Sequence, residues 1–257
     1  MDNAITRLDI APDYNGGFVF MWELAGDFNV DTPWVFHVEQ SNAPSGPWID
    51  ISGPVVDRYI YRERGRNLIN KSAVLYFRVV LDAGGERYFS SVLQPYGDLV
   101  KKDYLIAREV MRKEVLHMRG MAGVAGSVYS LATFGPPCRY CRDPITGEIR
   151  DSDCKKCFGT GRLNPYSGPY DCWMLFSEDS QHVHQDDGLG TFEHKVYNVR
   201  IVANPVIKKN DVLIDRGTDK RYYVNKAQVI AEIRRIPIVQ NLFVMEAPVS
   251  DKIYELT

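Results

Sequence analysis

The 257-residue sequence contains no apolar run near the ~20 residues that a membrane helix needs, so no spanning helix and no membrane partner are expected. It has no excess of either charge. Thirty-one Lys and Arg against 33 Asp and Glu leave a net charge of −2, so no global field draws the chain to nucleic acid or to an anionic membrane. Internal repeats and low-complexity stretches are missing, as are GxSxG, Walker, HExxH and paired-acid motifs. Enzymatic chemistry is therefore not expected. The opening stretch, Met1–Asp13, is acidic without an apolar leader, and synthesis in the cytosol is the expectation.

What is present is an ordinary globular composition, 45% hydrophobic and 25% charged. At roughly 100–150 residues per domain, this length suits two domains or two plus a small module. Cysteine is scarce, yet four of the five fall as Cys138-x2-Cys141-x12-Cys154-x2-Cys157. In a cytosolic chain, two CxxC knuckles point first to a metal, with disulfides or a vestigial pair as alternatives. Four thiolates close a tetrahedral Zn²⁺ site and leave no position for substrate, so one structural zinc per chain is expected. Asp143–Glu148 supplies the turn between the pairs, and Arg139, Arg142, Lys155 and Lys156 offset the negative charge of the centre.

Residues 1–97 show short strand candidates separated by Asn15-Gly16-Gly17, Ser41–Pro47 and Ala83-Gly84-Gly85, which predicts an antiparallel β-sandwich. Residues 98–135 change character. Tyr104–Met118 lacks Gly and Pro and predicts the one long helix, followed by a strand over Ser127–Thr133. Tyr104, Met111, Val115 and Met118 form an apolar stripe with Arg108, Arg112 and Lys113 beside it. That stripe packs either on its own domain or on a neighbouring subunit, where Met111, Val115 and Met118 would be contacts and Arg108 and Arg112 a polar rim. Residues 136–170 form the zinc module. Residues 171–257 carry strand candidates at Tyr197–Ala203, Asp211–Asp215, Arg221–Lys226, Ile236–Val239 and Leu242–Glu246, which predict a small β-barrel or sandwich.

Among the remaining candidates, His182 and His184 share one face of an extended segment near His194, but lack a placed third ligand, and Gln181–Asp187 is expected as an exposed polar loop. Cys172 precedes the apolar run Trp173–Phe176 and is expected to be buried. His37 is expected on a strand and His117 on the helix surface.

Two resemblances add to this. Val19–Trp22, Trp34–Gln40 with Gly46-Pro47-Trp48, Leu75–Val79 and the Gly84-Gly85 hairpin resemble a fibronectin type III domain over about residues 4–95. By that resemblance Trp22 and Tyr76 are core aromatics, and Val55–Lys71 is longer than the pattern. From Tyr104 onward the order of parts resembles virion proteins of tailed bacteriophages: the helix, Thr133–Cys138, the knuckles with Cys157-Phe158-Gly159-Thr160-Gly161, then Asn210–Asp215 with Arg221–Val224. Asp211–Val224 also resembles the hairpin of head-closure and head–tail adaptor proteins. The resemblance implies a neck or head–tail connector protein that forms a homo-oligomeric ring with portal, adaptor, tail or sheath neighbours, with DNA in its channel. It implies location in the virion and, during assembly, in the host cytoplasm. A baseplate or tail protein, and a zinc-ribbon protein that binds nucleic acid, are the alternatives.

Overall fold

The computed structural model describes residues 4–14, 17–25, 28, 33–63, 75–95, 101–143, 145–186 and 191–256, without the side chains of 12, 101, 178–186 and 191–195. The chain is mainly β. Its first part runs β1 (Ile5–Pro12), β2 (Phe18–Leu24), β3 (Val35–Ser41), β4 (Ile49–Asp50), β5 (Val55–Val56), β6 (Ile60–Arg62), β7 (Tyr76–Ala83) and β8 (Glu86–Phe89). After the helix α1 (Lys101–Gly120) come β9 (Val124–Leu131), β10 (Tyr166–Asp186), β11 (Thr191–Val202), β12 (Val212–Asp215), β13 (Arg221–Ile233) and β14 (Ile236–Glu246). Among the described residues no helix is long and apolar enough to cross a membrane.

Two compact units emerge, each made of two stretches of chain: Met1–Arg108 with Ala132–Ser167, and Glu109–Leu131 with Gly168–Thr257. This grouping differs from the four consecutive segments expected above. The cysteine module belongs to the unit of the N-terminal strands, and the helix is shared between both.

In the first unit, one sheet has the order β1-β2-β6 and a second the order β4-β3-β7-β8, with β5 on β3. Alternation along β2 sends Phe18, Phe20 and Trp22 to a buried face. Phe20 meets Phe77 of β7 with ring centroids 5.0 Å apart, and Trp22 meets Phe36 of β3 at 5.2 Å. Trp22 is thus a core aromatic, as expected. On β7 the fully buried aromatic is Phe77, not Tyr76, because Tyr76 falls on the opposite phase and is half-buried. Within Val55–Lys71, β5 and β6 take up the described part of the excess length.

In the second unit, six strands close a barrel in the order β10-β11-β14-β13-β12-β9. Val128, Met174, Val199, Ile201, Leu213, Val224, Leu242 and Val244 fill it, and Cys172 lies in the same core, buried as expected. Gly126 of β9 is required by close approach, since a Cβ there would stand 2.2 Å from Met174 Cε and 2.7 Å from the Ile214 carbonyl. Two expectations are corrected. The candidates Ile236–Val239 and Leu242–Glu246 are one strand, β14. Gln181–Asp186 is not a loop but the end of β10, paired with β11 from Asp186↔Thr191 to Gln181↔Val196. The ladder supplies there what a polar sequence alone does not signal. The side chains of His182, His184 and His194 lie outside the described residues.

Candidate metal centre

The module that carries the four cysteines is held at its base by backbone pairing. Ala132 N–H donates to the Pro165 carbonyl at 2.7 Å, Leu163 N–H to Pro136 at 2.9 Å and Cys138 N–H to Gly161 at 2.9 Å. A hairpin between the two knuckles is closed by Asp143 N–H to the Glu148 carbonyl at 2.8 Å, and Gly147 N–H returns to the Asp143 carbonyl at 2.9 Å. The Asp143 carboxylate accepts from the N–H groups of Ile145 and Thr146 at 2.7 and 3.1 Å and pairs with Arg150. This is the turn that the sequence Asp143–Glu148 predicts, with the aspartate acting on the backbone two and three residues on.

These constraints bring Cys138, Cys141, Cys154 and Cys157 together. All four Sγ atoms lie within 4.8 Å of one another, all are buried, and all are free thiols. Cys138 and Cys154 sulfurs are 3.9 Å apart, and Cys141 and Cys157 sulfurs 3.2 Å. A disulfide needs about 2.05 Å, so neither pair is bridged. Zinc–sulfur bonds of about 2.3 Å in a tetrahedron give sulfur separations of about 3.8 Å. The donor set therefore fits a metal ion held by four thiolates.

The thiols differ in acidity. Burial raises all three whose shift is evident, and it prevails at Cys141 and Cys157, beside their neighbouring thiols. At Cys154 burial is outweighed by hydrogen bonds from the N–H groups of Lys156 and Cys157 and by thiol neighbours, which bring it down to about 7. Gly161 N–H donates in the same way to Cys157. Such N–H groups stabilise a thiolate and equally a metal-bound sulfur.

The surroundings are part of the site. Gly135 takes φ +122°, which favours glycine, and a Cβ there would sit 2.8 Å from the Tyr59 hydroxyl. Arg162 donates from Nη1 to the Gly135 carbonyl at 2.7 Å. Burial and then Arg142 lower the Arg162 pKa. In the knuckles, Arg139, Tyr140, Lys155 and Lys156 are all exposed, Tyr140 by 74%.

The other sequence candidates lie away from this centre. Met111 and Met118 have no exposed surface within the single chain, and Val115 is half-buried. Arg108 is half-buried, while Arg112 is exposed and bonded to Glu109 at 2.8 and 3.0 Å. His117 is exposed on the helix, and His37 sits on β3 with Nδ1 2.7 Å from Asp50. Sequence reasoning missed the buried polar groups of the barrel, among them Asp211, which has no exposed surface. Its carboxylate accepts from Leu131 N–H at 2.8 Å and Lys208 N–H at 2.7 Å. No family model matches the chain, and no curated protein matches it in sequence.

Proposed function

We propose that this chain is a structural component of a tailed-phage particle, a neck or head–tail connector protein that assembles into a ring around the DNA channel. Its parts are a fibronectin III-like domain, a zinc ribbon that holds one structural Zn²⁺, and a ring-forming barrel. The observation that carries this reading is the closed six-stranded barrel, in which the hairpin Asp211–Val224 provides the adjoining staves β12 and β13. The likeness of this hairpin to that of head–tail adaptor proteins is what turns the barrel toward that reading. The order of strands in the two N-terminal sheets supports a fibronectin III-like fold, and its role as an outward decoration follows from the resemblance alone. Four cysteine ligands would saturate zinc, so the ion's role is to supply folding energy to a module with few buried apolar side chains. Neighbours of a ring subunit would be further copies and portal, adaptor, tail or sheath proteins.

The test is made on particles. Mass spectrometry of purified virions, followed by imaging of the neck, should find the chain at an integral ring copy number; its absence from virions rejects the reading. The zinc-ribbon alternative draws on the exposed Tyr140 beside Arg139, Lys155 and Lys156, a set able to stack on a base and contact phosphate. Salt-dependent binding of an oligonucleotide, lost on Tyr140→Ala, would favour it over the connector.

A further inference from the structure

Beyond Val224, β13 leaves the closed wall of the barrel. β12 pairs with Arg221, Tyr222 and Tyr223 alone, and the last backbone bonds on that edge join Val224 to Asn210 and Asp211 at 2.8 and 2.9 Å. From Lys226 to Ile233 the strand pairs with β14 on its other side. Among the described residues, no backbone hydrogen bond reaches the opposite edge of 225–233. The two strands are unequal in burial. Ile236, Ile238, Val239 and Gln240 of β14 are buried, whereas Val229 and Ile230 are 40% and 42% exposed and every residue from Asn225 to Glu232 except Ala227 is exposed. A strand with an open edge and exposed aliphatic side chains is a template for another strand.

We propose that residues 225–233 of β13 pair antiparallel with the same edge of a second copy, about a two-fold axis at Val229. The argument for a second copy is the charge pattern. Lys226 and Glu232 are the only charged side chains of the segment. An axis at Val229 sets Val229 opposite its own counterpart, Ala227 opposite Ala231, and Lys226 opposite Glu232. Symmetry makes that last pair twice, as a self-complementary two-fold contact requires. Sliding the partner two residues in one direction sets Lys226 opposite Arg234, and in the other sets it opposite Ile230, so the charges select one register. Glu232 has no hydrogen bond or ion pair among the described residues, and Lys226 meets only the Phe243 ring, at 5.7 Å. Register shifts in the β13–β14 ladder lie before Lys226 and, inside the segment, between Val229 and Ala231 and between Ala231 and Glu232, so the pairing is interrupted beside the axis and the contact is weak and reversible. The inference does not rest on the particle reading, since it is argued from the open edge and the charges of this strand alone.

Sedimentation velocity of the full-length, zinc-replete protein over a concentration series tests it. Wild type should show a monomer–dimer equilibrium. K226E and E232K should each weaken it about tenfold by placing like charges opposite one another. A one-to-one mixture of the two variants should recover wild-type association, because each then faces the opposite charge in the other. Both positions are exposed, and circular dichroism with zinc content checks that each variant is folded. Wild type that stays monomeric at its highest soluble concentration overturns the proposal. So does association indifferent to both single changes, or a mixture that associates no better than its components.

Discussion

The Tyr59 ring meets the Phe134 ring edge-on, with centroids 4.5 Å apart and planes at 73°. Tyr59 also contacts Phe36 of β3, with centroids 5.7 Å apart, so the root of the cysteine module is seated on the core of the N-terminal sheets. The seam explains why 132–167 belongs with 1–108 in one unit. Tyr59 is buried, and burial followed by the nearby Asp57 charge holds its hydroxyl protonated well above the usual phenol range.

Tyr59→Ala is expected to cost about 3 kcal/mol, since it removes a buried aromatic from contact with two others. Gly135→Ala should also destabilise, through both its backbone conformation and the clash with the Tyr59 hydroxyl. Denaturant titration of the full chain measures both. A change under about 0.5 kcal/mol for either would mean that the seam contributes little.

Metal content should be one zinc per chain, lost on Cys154→Ser. Amide protection should then fall between Cys138 and Gly161, where the hydrogen bonds depend on the knuckles, while β2, β3 and β7 keep theirs because their core is aromatic. Acidification should release the metal progressively, since protons compete for the four sulfurs. Elemental analysis paired with hydrogen exchange reads both effects. Protein that is folded between Cys138 and Gly161 without metal would contradict them.

Asp211 should give the barrel a pH dependence of its own. Burial raises its carboxyl from 3.8 to about 6, against the hydrogen bonds from the N–H groups of Lys208 and Leu131. A raised folded-state pKa means that the folded form binds the proton more tightly. The resulting stabilisation is fully present below about pH 3.8 and is lost as pH rises through about 6. The stability difference between wild type and Asp211→Asn should therefore shift by about 2 kcal/mol against wild type between pH 4 and 7. Fluorotryptophan NMR of Trp173 during denaturation follows this unit. A difference independent of pH would show that Asp211 titrates normally.

Met111→Asp should destabilise the isolated chain by about 3 kcal/mol or more, because the side chain has no exposed surface and a carboxylate would be buried there. Val115→Asp, at a half-buried position, should be milder. Loss of particle incorporation by Met111→Asp thus reports folding first. Leu116, 51% exposed, is the better probe of a helix contact with another subunit.

The cysteine spacing and the turn residues between the knuckles determined the four-cysteine cluster by themselves, because a CxxC knuckle is a local structure and two of them can converge in few ways. Alternation along Phe18–Leu24 likewise placed Phe18, Phe20 and Trp22 in the core but missed Val19, which is buried on the opposite phase, and the Gly- and Pro-free run determined the helix to within three residues at each end. Tertiary structure decided the rest. Which unit owns the module depended on Tyr59 and Phe134, which lie 75 residues apart and carry no mutual signal in sequence. The length of β10 and the continuity of β14 depended on ladder hydrogen bonds to β11, which stabilise polar residues that a hydrophobic pattern leaves as loop. Burial of Asp211 depended on where β9 ends against β12, since there the N–H groups of Leu131 and Lys208 converge on a carboxylate that sequence alone would place in water.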